Sequence, residues 1–184
     1  DKLARPQIEI KTKKNVFETT LPISGEKNVL NFTAAYAIAS EVGLITSQMQ
    51  KAVKKIKSYN KRLEIINLKK FTLINDTYNA NPDSMKSSLD ILDRIESRKK
   101  KIAVLGDMFE LGVESKLKHL ELANFINKTK VEEVYSIGKM MRLTNQKLNG
   151  KTIVHQHFTE RESLKIFLKK LDTNNSVVLV KGSR

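Results

Sequence analysis

Hydrophobic and polar residues follow two different periods along this chain, and their alternation predicts strands separated by helices. Alternating or short apolar runs predict strands at 7–11, 16–21, 63–68, 69–75, 101–105, 131–137, 152–155 and 176–180. Apolar residues spaced by three and four predict helices at 28–42, from Thr46 or Ser47 to about 57, from Pro82 onward, at 115–127 and at 159–171. Strands that alternate with helices of this length indicate βαβ crossovers, and therefore an α/β fold with a mainly parallel sheet.

The helix predicted at 28–42 carries one apolar face, formed by Leu30, Ala34, Ala37 and Ile38. We expect this face to pack into a core, because a surface helix buries its apolar stripe. The segment 58–61 has the composition of a linker, and the strand pattern starts again after it. We therefore predict two domains, at 1–60 and at 61–184.

The most polar turn of the chain, Asn75–Ser84, directly follows the apolar run 71–74. It supplies two acids, three amides and three hydroxyls within ten residues. Open α/β sheets bind their ligands at the carboxyl ends of strands. Asp76, Asn79 and Asp83 are equally suited to cap turns and the following helix, so spacing by itself leaves a binding site and a capping turn as alternatives.

Three further predicted strands end in polar residues, at Gly106-Asp107, Ile137-Gly138-Lys139 and Lys181–Arg184. In a parallel sheet these ends share one edge, which places them in one cleft with Asn75–Ser84. Carboxylates there suit ribose hydroxyls, a metal ion or an amine. Amides suit a small polar substrate, and Lys181 and Arg184 suit a carboxylate or phosphate.

Other chemistry finds little support in the sequence. No phosphate-binding loop of the form G-x-x-x-x-G-K-[ST] occurs, and there is no cysteine for disulfides or thiolate catalysis. His155 and His157 lack partners that complete a metal site, and His119 suits a packing or hydrogen-bonding role. No apolar run approaches the roughly 20 residues of a membrane span.

The net charge of +14 changes this picture little, because the lysines are scattered over predicted helices and their ends. This distribution favours a solvated surface over a nucleic-acid footprint. Attraction of an anionic small substrate is a third interpretation.

Five motifs carry a resemblance to a known family. In chain order they are Gly25–Asn31, Arg62-Leu63-Glu64, Asp76–Ser84, Ala103–Gly112 and Val178–Arg184. Together they closely resemble the C-terminal part of the Mur ligase family. The resemblance implies a Rossmann-like domain with flanking helices at 61–184, preceded by a partial α/β central ATPase domain at 1–60.

The Asn79-Ala80-Asn81-Pro82 run is typical of the D-alanyl-D-alanine-adding branch of the family. The resemblance therefore implies part of an ATP-dependent ligase that uses Mg²⁺ and joins D-alanyl-D-alanine to UDP-N-acetylmuramoyl-tripeptide. Such an enzyme acts in peptidoglycan precursor synthesis, and hence in cell wall biogenesis, cell shape and cell division. The resemblance also implies a cytoplasmic monomer that has neither nucleic acid nor a membrane as its partner.

The resemblance also implies roles for individual residues. Nucleotide-binding roles fall on Asn28 and Asn31 (adenine), Arg62, Asp76 (ribose), Tyr78 and Pro82. Roles near the dipeptide or the nucleotide fall on Asn79, Asn81 and Ser84, with Asp107, Lys181 and Ser183 facing the same cleft. Lys27 stands where the family usually has His, and Lys61 stands where a Gly usually precedes the Arg.

The same family uses a phosphate-binding loop, magnesium ligands, a carbamylated lysine and a UDP-sugar domain that all precede the matched region. We therefore expect no catalytic residue and no metal ligand in this chain, and no ligase activity from the 184 residues by themselves. We also expect a last helix beyond Arg184. Two other classes stay open: a stand-alone nucleotide- or peptide-binding module, and a basic nucleic-acid-binding protein.

Overall fold

The computed structural model describes residues 3–13, 15–95 and 100–183. Two compact units divide the chain, unit 1 at Asp1–Ser58 and unit 2 at Tyr59–Arg184. Both units combine strands with helices, so the predicted α/β class is confirmed.

Unit 1 is a two-stranded hairpin covered by helices. Strands β1 (Gln7–Lys11) and β2 (Val16–Thr20) pair antiparallel, and helices α1 (Glu26–Glu41) and α2 (Thr46–Val53) follow. The core is aromatic, because the fully buried Phe17 ring lies 4.9 Å from the ring of Tyr36 on α1.

The buried face of α1 differs from the prediction. Leu30 and Ile38 are 72% and 66% exposed, whereas Tyr36 on another side of the helix is buried. Phe32 also packs against the core around Phe17. The prediction was wrong because α1 carries two apolar faces, and the one with the larger aromatic side chains fills the space above the hairpin.

Unit 2 contains one six-stranded sheet with the order β3-β4-β8-β5-β6-β7. β3 pairs antiparallel with β4, and every other pairing is parallel, which confirms the mainly parallel sheet. The strands are β3 Glu64–Asn67, β4 Phe71–Asp76, β5 Lys100–Leu105, β6 Glu133–Ile137, β7 Val154–Phe158 and β8 Ser176–Lys181. The helices are α3 Pro82–Arg94, α4 Ser115–Ile126, α5 Met141–Gln146 and α6 Arg161–Lys170, with a 3₁₀ turn at Gly112–Glu114.

Helices cover both faces of this sheet. Ile102 and Val104 of β5 pack with Leu164 of α6 in one hydrophobic cluster. Lys101, whose side chain points to the other face, donates through Nζ to the carbonyl of Asp93 on α3. The central strands are therefore buried from both sides, which explains their continuous apolar sequence.

Two predicted elements have different bounds in the structure. The strand predicted at 152–155 lies at Val154–Phe158, because the amides of Thr152 and Ile153 instead close a turn on the carbonyl of Asn149. The helix predicted to reach 57 ends at Val53. Gly138, with φ of 116°, lies in the turn between β6 and α5.

Helix α2 begins at Thr46, and although Thr46 and Ser47 are residue types that commonly cap helices, neither caps this one. The capping position is Ile45, and its amide donates to Gln48 Oε1 at 3.0 Å. Within the described ranges, no helix combines the length and the apolar character needed to cross a membrane.

Candidate functional site at the carboxyl edge of the sheet

The candidate site lies where β4, β8 and β5 end side by side. Asp76 is in register with Lys181, and Lys181 is in register with Leu105. The loops that follow these strands therefore start from the same edge, as the sequence predicted. Lys181 and Asp107 at this edge come from strand ends that are far apart in the chain.

A buried ion pair joins the ends of β4 and β8. Lys181 Nζ donates to Asp76 Oδ2 at 2.5 Å and to the carbonyl of Asn79 at 2.9 Å. The side chains of Lys181 and Asp76 are 2% and 9% exposed. Burial lowers the pKa of Lys181, and the carboxylate of Asp76 opposes this shift.

The carboxylate of Asp76 has two more donors. Ser88 Oγ of α3 donates to Oδ2 at 2.6 Å, and the backbone amide of Leu63 donates to Oδ1 at 3.0 Å. With Lys181 this makes three donors on one nearly buried carboxylate. The ribose role implied for Asp76 stays a prediction.

Ser183 ties three loops together. Its Oγ accepts from the amide of Phe109 at 3.0 Å and lies within donating distance of the Ala80 carbonyl, at 3.0 Å, and of Asn79 Oδ1, at 3.2 Å. Its amide donates to the carbonyl of Asp107. The single hydroxyl proton of Ser183 serves one of these two acceptors at a time, and both acceptors belong to the loop after β4.

Two glycines allow the ends of β5 and β8 to approach. A Cβ on Gly182 would lie 3.1 Å from the Cα of Gly106. The amide of Gly106 donates to the carbonyl of Lys181 at 2.8 Å. A side chain at Gly182 would therefore require the backbone at Gly106 to shift, and with it the start of the loop that carries Asp107.

Asp107 holds the start of α5. Its Oδ1 accepts from the amide of Met141 at 2.6 Å, and its Oδ2 accepts from that of Met140 at 3.3 Å. Gly138 leaves room for this carboxylate, because a Cβ there would lie 2.4 Å from Asp107 Cγ. The carboxylate serves as a cap, and its predicted role toward substrate stays a prediction.

His119 of α4 holds the loop after β5 through a hydrogen bond, which agrees with the packing or hydrogen-bonding role expected for it. It is fully buried, its Nδ1 donates to the carbonyl of Ser115 at 2.7 Å, and its Nε2 accepts from the amide of Met108 at 3.2 Å. These two partners require the neutral imidazole with the proton on Nδ1. His119 therefore positions the loop that contains Phe109.

Asn81 and Ser84 form a reciprocal cap on α3. Asn81 Oδ1 accepts from the amide of Ser84 at 2.8 Å, and Ser84 Oγ accepts from the amide of Asn81 at 3.0 Å. Pro82 occupies the first helical turn, where its missing N–H costs nothing. The cap of α3 is thus formed by Asn81 and Ser84, whereas the sequence suggested Asp76, Asn79 and Asp83 as capping residues. The binding roles of Asn81, Pro82 and Ser84 stay predictions.

Arg62 and Tyr78 form the exposed part of the site. The guanidinium carbon of Arg62 lies 3.9 Å from the centroid of the Tyr78 ring, and 42% of Tyr78 is exposed. The amide of Tyr78 donates to the carbonyl of Lys61 at 3.0 Å. A guanidinium stacked on a ring still directs its N–H groups outward in its own plane, toward any anion at this surface.

The remaining predicted residues belong to other elements of the two units. Asn28 and Asn31 belong to α1 of unit 1, where Asn28 Nδ2 donates to the carbonyl of Ser24 at 2.7 Å and Asn31 is exposed. Arg184 lies outside the described residues. His157 Nδ1 lies 3.0 Å from Ser136 Oγ, and His155 Nδ1 lies 3.1 Å from Asn145 Oδ1.

Sequence reasoning missed two groups that touch the site, namely Ser88 Oγ and the amide of Leu63. Ser88 had a detectable signal, because it is a polar residue between the buried Met85, Leu89 and Leu92 on the inner side of α3. The amide of Leu63 had none, since a backbone donor carries no sequence signature. Across the parts of the chain that the structure describes, no cluster of three or more histidine or acidic side chains is arranged to hold a metal ion.

Comparison with known proteins identifies the family of this chain. Residues 61–184 match the family model described as "Mur ligase, glutamate ligase domain". The chain belongs to the Mur ligase family.

Named relatives are consistent with this assignment. The chain is 34% identical over 168 residues to the UDP-N-acetylmuramoyl-tripeptide–D-alanyl-D-alanine ligase of Bacillus subtilis, covering 89% of this chain and 36% of that protein. It is 30% identical to the enzyme of the same name from Escherichia coli, covering 97% and 39%.

Solved Mur ligases share the fold. A MurF crystal structure from Acinetobacter baumannii matches with a TM-score of 0.84 and 27% identity, covering 98% of this chain and 40% of that one. MurF from Thermotoga maritima in complex with ADP matches with a TM-score of 0.77 and 25% identity, covering 98% and 40%. The chain thus spans about two fifths of the length of these relatives.

Proposed function

We propose that this chain is part of an ATP-dependent ligase that joins D-alanyl-D-alanine to UDP-N-acetylmuramoyl-tripeptide in peptidoglycan precursor synthesis. The observation that carries the proposal is 34% identity over 89% of the chain to an enzyme of that name. The motif that resembles this branch, Asp76–Ser84, lies at the carboxyl edge of the sheet beside Lys181 and Ser183, where α/β folds bind ligands.

In this proposal, 1–60 belongs to the central ATPase domain and 61–184 is the C-terminal domain. Arg62 and Tyr78 are the exposed groups best suited to a nucleotide, because a guanidinium matches phosphate and an aromatic ring packs on sugar or base. Asn28 and Asn31 are proposed to approach the adenine from 1–60. Asp76 and Pro82 belong to the same proposed nucleotide set.

The proposed reaction has two steps. ATP transfers its γ-phosphoryl group to the carboxylate of the tripeptide, which gives an acyl phosphate and ADP. The amine of D-alanyl-D-alanine then attacks the acyl carbon, the C–O bond to phosphate breaks, and a proton leaves the nitrogen. Asn79, Asn81, Ser84, Asp107, Lys181 and Ser183 are proposed to border the dipeptide or the nucleotide.

Magnesium is assigned no ligand in this chain. Among the described residues, no three acidic or histidine side chains are grouped so that they could hold a metal ion. We place its ligands, like the phosphate-binding loop, in the remainder of the longer protein. We propose that this protein is a cytoplasmic monomer. We also propose that the net charge of +14 on this chain favours the approach of anionic substrates.

The test is ligation by the full-length protein that contains this chain. With ATP, the UDP-linked tripeptide and D-alanyl-D-alanine, we expect the amide product and ADP in equal amounts, and no product when the dipeptide is omitted. The 184-residue chain under the same conditions is expected to be inactive. A full-length protein that forms no amide, or that binds oligonucleotides with a steep salt dependence instead, would refute the proposal.

A further inference from the structure

The strand end Ile137-Gly138-Lys139 has no role in the proposed function, although it borders the same edge of the sheet as the candidate site. At this place β6 and β7 end side by side, and Ser136 is in register with His157. Paired residues of neighbouring strands point to the same face of a sheet, so these two side chains lie together. A second group of polar side chains therefore borders this edge.

Helix α5 covers that face of β7. His155, two residues before His157 and therefore on the same face, has its Nδ1 3.1 Å from Oδ1 of Asn145 on α5. Arg142 lies one helical turn before Asn145, and its amide donates to the carbonyl of Gly138 at 3.3 Å. Because α5 runs back from the carboxyl edge of the sheet, this turn brings Arg142 beside His157.

The tautomer of His157 follows from the burial of Ser136. Ser136 is fully buried, and its Oγ lies 3.0 Å from His157 Nδ1. Within the ranges that the structure describes, the hydroxyl has no other partner, so its proton is satisfied only if Oγ donates to Nδ1. Burial, and after it the charge of Arg142, lowers the pKa of His157, which keeps the ring neutral at physiological pH. The ring proton is then on Nε2, which makes Nε2 a donor.

The donors of Arg142 and His157 are unoccupied. Among the described residues, neither the exposed guanidinium of Arg142 nor His157 Nε2 has a hydrogen-bond or ion-pair partner. Lys139, in the turn before α5, is also exposed. The carboxylate of Asp107, which opposes the shift in the pKa of His157, already accepts from two backbone amides. Two cations and an imidazole N–H therefore surround one occupied carboxylate, a combination that suits an anion.

The spacing of the strands fits a dipeptide. Neighbouring strands lie about 4.8 Å apart, so the ends of β6 and β7 are roughly 5–10 Å from the end of β5. Two residues of extended chain span about 7 Å. A dipeptide whose carboxylate is bound between β6 and β7 therefore reaches with its amine the loops after β5 and β8, where Asp107 and Ser183 are proposed to border it.

We infer that Arg142 and His157 form a subsite for the terminal carboxylate of D-alanyl-D-alanine. Arg142 supplies the charge and paired N–H groups, and His157 Nε2 supplies one directed donor. The amine of the dipeptide attacks the acyl phosphate, so binding of the opposite end positions this amine and leaves it free. This inference rests on the proposed ligase function and refines it by naming the residues that select an acceptor with a free carboxylate.

The kinetic test uses the full-length protein with two acceptors, D-alanyl-D-alanine and its uncharged analogue D-alanyl-D-alaninamide. We expect Arg142→Met to raise KM for the dipeptide by about 10- to 100-fold with little change in kcat, because a charge-assisted bond to the bound substrate is lost. KM for the analogue and KM for ATP are expected to stay the same. Equal losses with both acceptors would overturn the inference, and so would a rise in KM for ATP instead, which would identify a phosphate as the ligand.

Two substitutions test the donor on His157. His157→Leu is expected to raise KM for the dipeptide by about 3- to 10-fold, and His157→Gln, which keeps an N–H donor, by less. Equal effects of the two would exclude His157 from the subsite. If His157→Leu does not fold, His157→Gln and Arg142→Met still decide between the outcomes. Arg94→Met, which removes an exposed arginine of α3 paired with Asp90, is the matched control and is expected to change neither KM.

A further arm needs no activity and uses NMR of the isotopically labelled 184-residue chain. The ring nitrogens of His157 are expected to show the neutral tautomer with the proton on Nε2. D-alanyl-D-alanine is expected to shift these signals, and D-alanyl-D-alaninamide is not. A proton on Nδ1, or the same response to both compounds, would overturn the subsite. A full-length protein that forms no amide, while His157 still distinguishes the two compounds, would overturn only the proposed function.

Discussion

Lys181 Nζ lies 2.5 Å from Asp76 Oδ2, although the two residues are 105 positions apart in the chain. Both side chains are almost entirely buried at the edge of the sheet where β4 and β8 end. The pair therefore belongs to the core of unit 2 as much as to the candidate site. A buried charge is tolerated only with its partner, which makes the pair easy to test.

Replacing Lys181 with Met is expected to lower the free energy of unfolding by about 3–5 kcal/mol, because the carboxylate of Asp76 loses its counter-ion in a buried site. Urea denaturation of the 184-residue chain measures the change. Lys165→Met is the matched control. Its exposed pair with Glu162 on α6 is worth about 0–1 kcal/mol, so equal losses in the two variants would contradict this account.

Gly138→Ala is expected to destabilise the chain because the new methyl group meets the Asp107 carboxylate. An ideal Cβ lies 2.4 Å from Asp107 Cγ, and φ is 116°. Gly112→Ala is the control, since Gly112 also has positive φ but has open space around its Cβ position. We expect the loss at Gly138 to exceed that at Gly112 by about 1–3 kcal/mol in thermal or urea unfolding, and equal losses would refute the steric argument.

The apolar strands of unit 2 were predictable because both faces of the sheet are covered. Runs such as 101–105 and 176–180 have no polar face, and they form β5 and β8 in the centre. β7 was misplaced because it is an edge strand whose residues include His155, Gln156 and His157. Because β7 pairs only with β6, it tolerates polar residues, and these interrupt the apolar run by which a buried strand is predicted.

The site was predictable in location but not in its internal bonding. Strand ends in a parallel sheet meet at one edge, so the positions of Asp76, Asp107 and Lys181 follow from topology. The carboxylate of Asp76 accepts from Ser88, Lys181 and the Leu63 amide. These bonds depend on contacts between residues that are distant in the chain and on the left-handed backbone of Leu63, with φ of 49°. Neither has a local pattern in the sequence.

The aromatic core of unit 1 provides a prediction at the place where the helix-face assignment was wrong. Phe17→Ala is expected to lower the stability of this unit by about 3–5 kcal/mol, because it empties a fully buried site against Tyr36. Leu30→Ala, on the exposed face of α1, is expected to change it by about 0.5 kcal/mol or less. Denaturation of the 184-residue chain, followed by tyrosine fluorescence, compares the two, and a larger loss at Leu30 would restore the original prediction.

His157 gives the chain a pH dependence of known sign. Burial, and then the nearby charge of Arg142, lowers the pKa of His157 below its usual 6.5, while Asp107 opposes the shift. Between the lowered pKa and 6.5 the unfolded chain binds more protons than the folded chain, so this group's contribution to stability is lost as the pH falls through that range. His157→Gln is expected to reduce the loss of unfolding free energy between about pH 7.5 and about pH 5.5. NMR titration of the His157 ring protons is expected to give a pKa below 6.5. A variant that loses as much stability as the unmodified chain over the same range, or a ring that titrates above 6.5, would contradict this assignment.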